Sequence, residues 1–93
     1  MRIQNLSMAH PLHAPHYQLI AKLLTKLRKE RQMLQQDVAD RIHRPQAFVS
    51  KYESGVRRLD LVELLDVLDA LGVDAHEFID QYLAQRGPSA LPR

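Results

Sequence analysis

The most informative segment of the sequence is Gln35–Tyr52, QQDVADRIHRPQAFVSKY. Its apolar residues recur at helical spacing in two groups, with His43, Arg44 and Pro45 between them. A residue before proline is disfavoured in the α region, so a helix should break near Arg44. The fixed φ of Pro45 suits the first turn of a second helix. The two apolar groups are Val38, Ala39 and Ile42 in the first helix and Phe48, Val49 and Tyr52 in the second.

Two helices of roughly eight residues each, joined by so short a turn, make a helix-turn-helix, whose second helix can enter a DNA major groove. The small Ala39 should let the two helices approach closely. Base reading is then expected from the exposed face of the second helix, through Gln46, Ala47, Ser50 and Lys51. A glutamine amide suits adenine, a methyl group suits thymine, and lysine suits guanine or a phosphate. Phe48 could face either the core or a thymine methyl group.

Helical spacing and capping residues predict three further helices, so the fold is predicted to be all-α, a compact five-helix domain. The first helix should run over 16–31. The fourth should begin with a capping box of Asp60 and Glu63, and the fifth with Asp74 and Glu77. We predict a flexible arm over 1–15, the DNA-binding domain over 16–86 and a frayed tail over 87–93. The core face of the fourth helix is predicted to hold Leu61, Leu64, Leu65, Leu68 and Leu71.

The composition excludes several classes of protein. The 93 residues suit one small domain, and they include no cysteine for a disulfide or a thiolate metal site. Neither a spanning apolar run nor a secretory signal is visible, so we expect a soluble, cytoplasmic protein. No catalytic motif occurs, so neither an enzyme nor a cofactor is expected. His10, His13 and His16 could suggest a metal site, but the intervening prolines prevent a regular helix across them, and none is expected.

Charge is unevenly distributed along the chain. Residues 22–58 hold ten Lys and Arg against four acids, whereas residues 59–93 hold two Arg against seven acids. A basic half that coincides with the helix-turn-helix is the pattern expected of a protein that binds a polyanion. Three arginines flank the second helix of the motif and are predicted to contact DNA phosphates: Arg44, Arg57 and Arg58. For the last two, an ordinary solvated loop is an equally good interpretation.

The sequence resembles the lambda-repressor-like helix-turn-helix family, the Cro and Xre type of bacterial and phage regulators. The resemblance spans Arg28–Phe78 and rests on LRKER at 27–31, QQDVADRI at 35–42, QAFVSKYESG at 46–55 and RRLDLVELLDVLDALGVDAHEFI at 57–79. The sequence departs from the family pattern just before the first helix of the motif and in the turn. Leu34 stands where Ser or Thr usually caps the helix, His43 where Gly is usual, and Arg44-Pro45 where a small apolar residue and Ser or Thr are usual.

The resemblance implies a sequence-specific DNA-binding regulator, a dimeric repressor on a pseudo-palindromic site in double-stranded DNA. It also implies that Arg28 and Glu53 form a structural ion pair and that Gln35 contacts a phosphate. The surplus apolar residues of the fifth helix, Ile79, Tyr82 and Leu83, are expected to form a homodimer interface. The alternative is a protein-binding module of the antitoxin type, with a toxin or co-regulator as its partner.

Overall fold

The computed structural model describes residues 15–87, so residues 1–14 of the predicted arm and residues 88–93 of the predicted tail lie outside it. The described residues form α-helices without strands, so the predicted all-α, five-helix fold is confirmed. No helix among them has the length and apolar character that a membrane span requires. In chain order the helices are α1 Pro15–Glu30, α2 Gln35–Arg41, α3 Gln46–Ser54, α4 Leu61–Leu71 and α5 Ala75–Arg86.

Two helix starts differ from the sequence prediction, and both involve proline. Pro15 is the first residue of α1 and so belongs to the helix rather than to the arm. Pro45 lies just outside α3, at the N-cap position with φ −64° and ψ 153°. Its φ would fit a helix, but its extended ψ places the first helical residue at Gln46. Proline is tolerated at both positions because the first residues of a helix have no intrahelical acceptor for their N–H groups.

The turn between α2 and α3 accommodates the unusual sequence His43-Arg44-Pro45. His43 adopts the left-handed conformation, with φ +58°, which a non-glycine residue reaches at some cost. The backbone N–H of Arg44 donates to the carbonyl oxygen of Ala39 across 3.0 Å and closes the end of α2. The departure from the family's usual glycine therefore leaves the turn intact.

All five helices contribute residues to one hydrophobic core. α2 packs most extensively on α3, α1 contacts both α3 and α5, and α2 also contacts α4. The largest fully buried side chains are those of Leu24, Val38, Val49, Tyr52, Val67 and Leu68. Phe48 is also buried, and its ring meets that of Tyr52 edge to face with centroids 5.7 Å apart. Phe48 is therefore a core residue and not a contact for thymine.

The predicted core face of α4 is partly wrong. Leu61 and Leu65 are 65% and 41% exposed, whereas Val67, which was not among the predicted core residues, is completely buried. The residues that pack inward are Leu64, Val67, Leu68, Ala70 and Leu71. Apolar residues occur on nearly every side of this helix, so periodicity alone cannot identify the face that meets α2.

Candidate nucleic-acid interface

The outer face of α3 carries all four residues predicted to read bases. Gln46, Ala47, Ser50 and Lys51 are exposed. The opposite side of the same helix is anchored in the core by Phe48, Val49 and Tyr52. Because these anchors leave α3 little freedom to rotate, the four outer side chains have a fixed direction relative to the rest of the domain.

A chain of hydrogen bonds connects the start of α3 to the interior. The Nε2 group of Gln46 donates to Oε1 of Gln35 across 2.6 Å. Gln35 in turn donates from its own Nε2 to Oε1 of Glu53 across 2.9 Å. Gln46 keeps its carbonyl oxygen and one N–H free of these two contacts, which is the pair of groups that recognises the major-groove edge of adenine. The first residue of α3 is thus oriented by two residues that lie behind it.

This chain of hydrogen bonds ends in the interior, at the ion pair between Arg28 and Glu53. Nε and Nη2 of Arg28 donate to the two carboxylate oxygens at 2.7 and 3.0 Å, and Nη1 donates to the carbonyl oxygen of Met33. The two side chains are only 11% and 6% exposed. The hydrogen bonds to Glu53 raise the pKa of Arg28 above its usual value. The pair joins α1 to the end of α3 and is turned away from the outer face.

Two of the arginines predicted to contact phosphates form a second cluster, with Phe48 and Glu63. The guanidinium carbons of Arg44 and Arg57 lie 4.4 and 4.7 Å from the centroid of the Phe48 ring. Arg57 donates two hydrogen bonds to the Glu63 carboxylate, at 3.0 and 2.8 Å. Arg44 reaches the same carboxylate at 3.3 Å. Both cations are therefore already paired within the protein.

Arg58 and Tyr17 lie beside this cluster of Arg44, Arg57, Phe48 and Glu63. The Tyr17 hydroxyl donates to the carbonyl oxygen of Arg57 across 2.9 Å, and the Arg58 guanidinium lies 5.6 Å from the Tyr17 ring centroid. Burial raises the pKa of Tyr17 above its usual value, so its hydroxyl remains a donor at neutral pH. The loop after α3 is thus held against the start of α1, and the solvated-loop interpretation does not describe Arg57.

Glu63 has a role that the sequence did not predict. It was assigned only to the capping box of α4, and that box is present: Asp60 N–H donates to Glu63, and Glu63 N–H donates to Asp60. The hydrogen bonds from Arg57, followed by the bond from the Asp60 backbone, lower the pKa of Glu63 to about 2. The sequence contains a weak signal for this role, an Arg-Arg pair that precedes an acidic N3 residue by five and six positions.

The residues predicted to form a homodimer interface lie on α5, the last helix. Ile79 and Leu83 are exposed and lie one turn apart, and Tyr82 is partly buried against the core. The Arg86 guanidinium lies 5.8 Å from the Tyr82 ring centroid.

Residues 15–87 contain no group of three His or acidic side chains placed to hold a metal ion. His10 and His13 lie outside the described residues.

Comparison with known proteins identifies the class. A family model described as Helix-turn-helix matches residues 24–78. An XRE-family like protein from Pseudomonas syringae pv. tomato str. DC3000 is 34% identical, with 82% of this chain and 93% of that chain covered and a TM-score of 0.75. The chain therefore belongs to the helix-turn-helix family of the XRE type, and it is a DNA-binding transcriptional regulator. A search of curated proteins found no match.

A more distant group of structures shares the fold. The wild-type Restriction-Modification Controller Protein C.Esp1396I is 20% identical over 80% of this chain and 97% of its own, with a TM-score of 0.75. The same controller as a tetramer in complex with its natural 35 base-pair operator is 20% identical over 78% of this chain and 96% of its own, with a TM-score of 0.74. At this level of identity, the likeness is one of fold.

Proposed function

We propose that this protein is a sequence-specific regulator that binds a pseudo-palindromic operator as a homodimer and represses transcription from it. The observation that carries the proposal is the placement of Gln46. It is exposed at the first position of α3, yet it is oriented through Gln35 by the buried pair of Glu53 and Arg28. A side chain oriented in this way loses little further entropy when it binds a base, and this favours selective readout.

The part of the DNA affinity that does not depend on base sequence would come from contacts with DNA phosphates. Gln35 lies at the start of α2, where backbone N–H groups without intrahelical partners can also meet a phosphate oxygen. Arg44 and Arg58 are exposed near α3 and carry long cationic side chains, although Arg44 also contacts the Glu63 carboxylate at 3.3 Å. Such contacts fix the register of the protein on the duplex, while Gln46, Ala47, Ser50 and Lys51 distinguish the bases.

Dimerisation through α5 would place two α3 helices on one face of the duplex. Half-sites read by such a dimer lie about 34 Å apart, or one helical turn, so the operator should show two-fold symmetry. The exposed Ile79 and Leu83, with Tyr82 beside them, are the proposed interface. Repression is the simplest result, since a dimer bound across a promoter excludes the polymerase. C.Esp1396I, a protein of the same fold, forms a tetramer in complex with its operator, and this supports oligomeric binding.

The experiment uses purified protein and fluorescence anisotropy. Binding sites are first selected from a randomised duplex pool. Binding to the selected duplex and to a scrambled duplex is then measured over a range of salt concentrations, together with binding to the DNA upstream of the protein's own coding sequence. We expect one dimer per selected duplex, a symmetric consensus and affinity at least ~10³-fold above that for the scramble. If no consensus emerges and all duplexes bind equally, sequence-specific regulation is excluded.

A further inference from the structure

The Glu63 carboxylate accepts hydrogen bonds from three residues beside the proposed DNA-binding face. It accepts two hydrogen bonds from Arg57, one from Arg44 at 3.3 Å and one from the backbone N–H of Asp60 at 3.0 Å. The side chain is 12% exposed, whereas those of Arg57 and Arg44 are 39% and 43% exposed. One carboxylate therefore sits behind two cations that face outward.

The two arginines are held in a second way, by the ring of Phe48. Both guanidinium groups lie over this ring, and Phe48 is a buried residue of α3. A cation over an aromatic ring gains a further electrostatic attraction. Because Phe48 cannot leave the core without disrupting α3, the ring and the carboxylate together fix where Arg44 and Arg57 point.

We propose that Glu63 is a specificity-determining residue, which holds Arg44 and Arg57 in intramolecular pairs and thereby lowers the attraction of this face for any DNA regardless of sequence. This inference rests on the proposed function, since it concerns the balance between phosphate and base contacts. A phosphate that approaches Arg57 must replace a carboxylate that already accepts a fork of two hydrogen bonds, so little free energy is gained. Base contacts by the outer face of α3 do not involve Glu63.

Removing this carboxylate should therefore strengthen non-specific binding more than specific binding. Non-specific binding is almost entirely a phosphate effect, and each additional phosphate neutralised steepens the salt dependence by about 0.9 in log K against log salt. Two arginines released from Glu63 would steepen the slope by up to about 1.8. The ratio of operator affinity to random-duplex affinity would fall accordingly.

The test measures binding to a random-sequence duplex, across a salt series, for wild type, Glu63→Gln, Arg57→Gln and the double variant. Glutamine at position 63 can still accept the Asp60 N–H, so the cap of α4 should survive, which circular dichroism verifies. We expect Glu63→Gln to bind more tightly and with a steeper slope. We also expect Arg57→Gln to reduce the slope more in the Glu63→Gln background than in wild type. Equal reductions in the two backgrounds would show independent charges and overturn the proposal.

Glu77→Gln is the matched control. Glu77 occupies the same N3 position at the start of α5, its N–H donates to Asp74, and it has no cationic partner among residues 15–87. The Glu77→Gln variant removes the same unit of negative charge as Glu63→Gln. If the arginines are released, the slope of log K against log salt should be steeper for Glu63→Gln than for Glu77→Gln. If the two variants have the same slope, net charge alone explains the effect and the proposal is wrong.

Glu63→Asp provides a second route that leaves the net charge unchanged and does not depend on the folding of the glutamine variant. The carboxylate of aspartate is one methylene shorter and cannot reach both arginines, so we expect a slope between those of wild type and Glu63→Gln. An unchanged slope in this variant would contradict the proposal. These slope measurements use random duplex, so they test the release of Arg44 and Arg57 from Glu63 whether or not the protein prefers an operator. The same variants measured on the selected operator should show a smaller gain in affinity than on random duplex, and a missing operator preference would count against the proposed function alone.

Discussion

At the scale of single residues, burial decides how much an ion pair stabilises the fold. Arg28 and Glu53 are almost wholly buried, whereas Lys26 and Glu30, 3.7 Å apart on α1, are 56% and 53% exposed. We predict that Arg28→Ala lowers the free energy of unfolding by about 3–5 kcal/mol, since it leaves Glu53 charged and buried. Lys26→Ala should cost less than ~1 kcal/mol. Urea denaturation of both variants would reveal the difference, and equal losses would contradict it.

Gln46 offers a test of base reading at one position. Gln46→Ala should lower the affinity for the operator by about 1–3 kcal/mol and relax the base preference at one position of each half-site. Affinity for scrambled DNA should barely change, because the phosphate contacts remain. Anisotropy with operators substituted base by base measures both effects, and Gln85→Ala, an exposed glutamine on α5, is the control. Equal losses on operator and scramble would assign Gln46 to the phosphate backbone.

Glu63 should make the stability of the domain depend on acidity. Its pKa is lowered in the folded protein from 4.5 to about 2, chiefly by Arg57. The charged carboxylate therefore stabilises the fold above pH 4.5, and this contribution is lost as the pH falls from 4.5 toward 2. We predict that Glu63→Gln flattens this part of the stability profile, measured by thermal unfolding at successive pH values. An identical profile in wild type and variant would show that the pairs contribute nothing.

At the scale of elements, two glycines end helices in the same conformation but in different surroundings. Gly55 follows α3 with φ +83°, and Gly72 follows α4 with φ +70°. A Cβ atom at Gly55 would overlap the amide end of Gln18, whereas one at Gly72 would meet open space. Gly72→Ala should therefore show only the left-handed penalty of about 1–2 kcal/mol. Gly55→Ala should cost more, since Gln18 must move as well.

Chemical denaturation of the two alanine variants separates these contributions. The penalty for a positive φ is common to both positions, so the difference between them measures the contact of α1 with the end of α3. A double variant that also carries Gln18→Ala should bring the cost at position 55 closer to that at position 72. If the two single variants lose equal stability, Gln18 moves aside without cost.

At the scale of the whole molecule, the proposed dimer can be tested by placing a charge on α5. We predict that Leu83→Glu shifts the protein from dimer to monomer in sedimentation equilibrium, because a carboxylate in an apolar interface must be desolvated without a partner. Leu83 is exposed in the single chain, so the monomer should remain folded. Val56→Glu introduces the same charge at an exposed apolar residue in the loop after α3 and should remain dimeric. A dimer that persists in Leu83→Glu would place the interface elsewhere.

The number, order and approximate limits of the helices could be predicted from the sequence, because spacing, prolines, glycines and capping residues act locally. It also identified the outer face of α3, since the core residues Val49 and Tyr52 fix which side of that helix remains outside. The departures of the turn from the family pattern proved harmless for the same local reason, as His43 adopts the left-handed conformation itself.

The sides on which the helices face each other could be read only from their packing in three dimensions. α4 is apolar nearly all round, and only its contact with α2 selects Val67 for the core and leaves Leu61 exposed. Likewise, charge along the chain could not reveal that Arg44 and Arg57 share the carboxylate of Glu63, 19 and 6 residues away. An ion pair depends on the distance between side chains in space, and that distance is set only once the helices have packed.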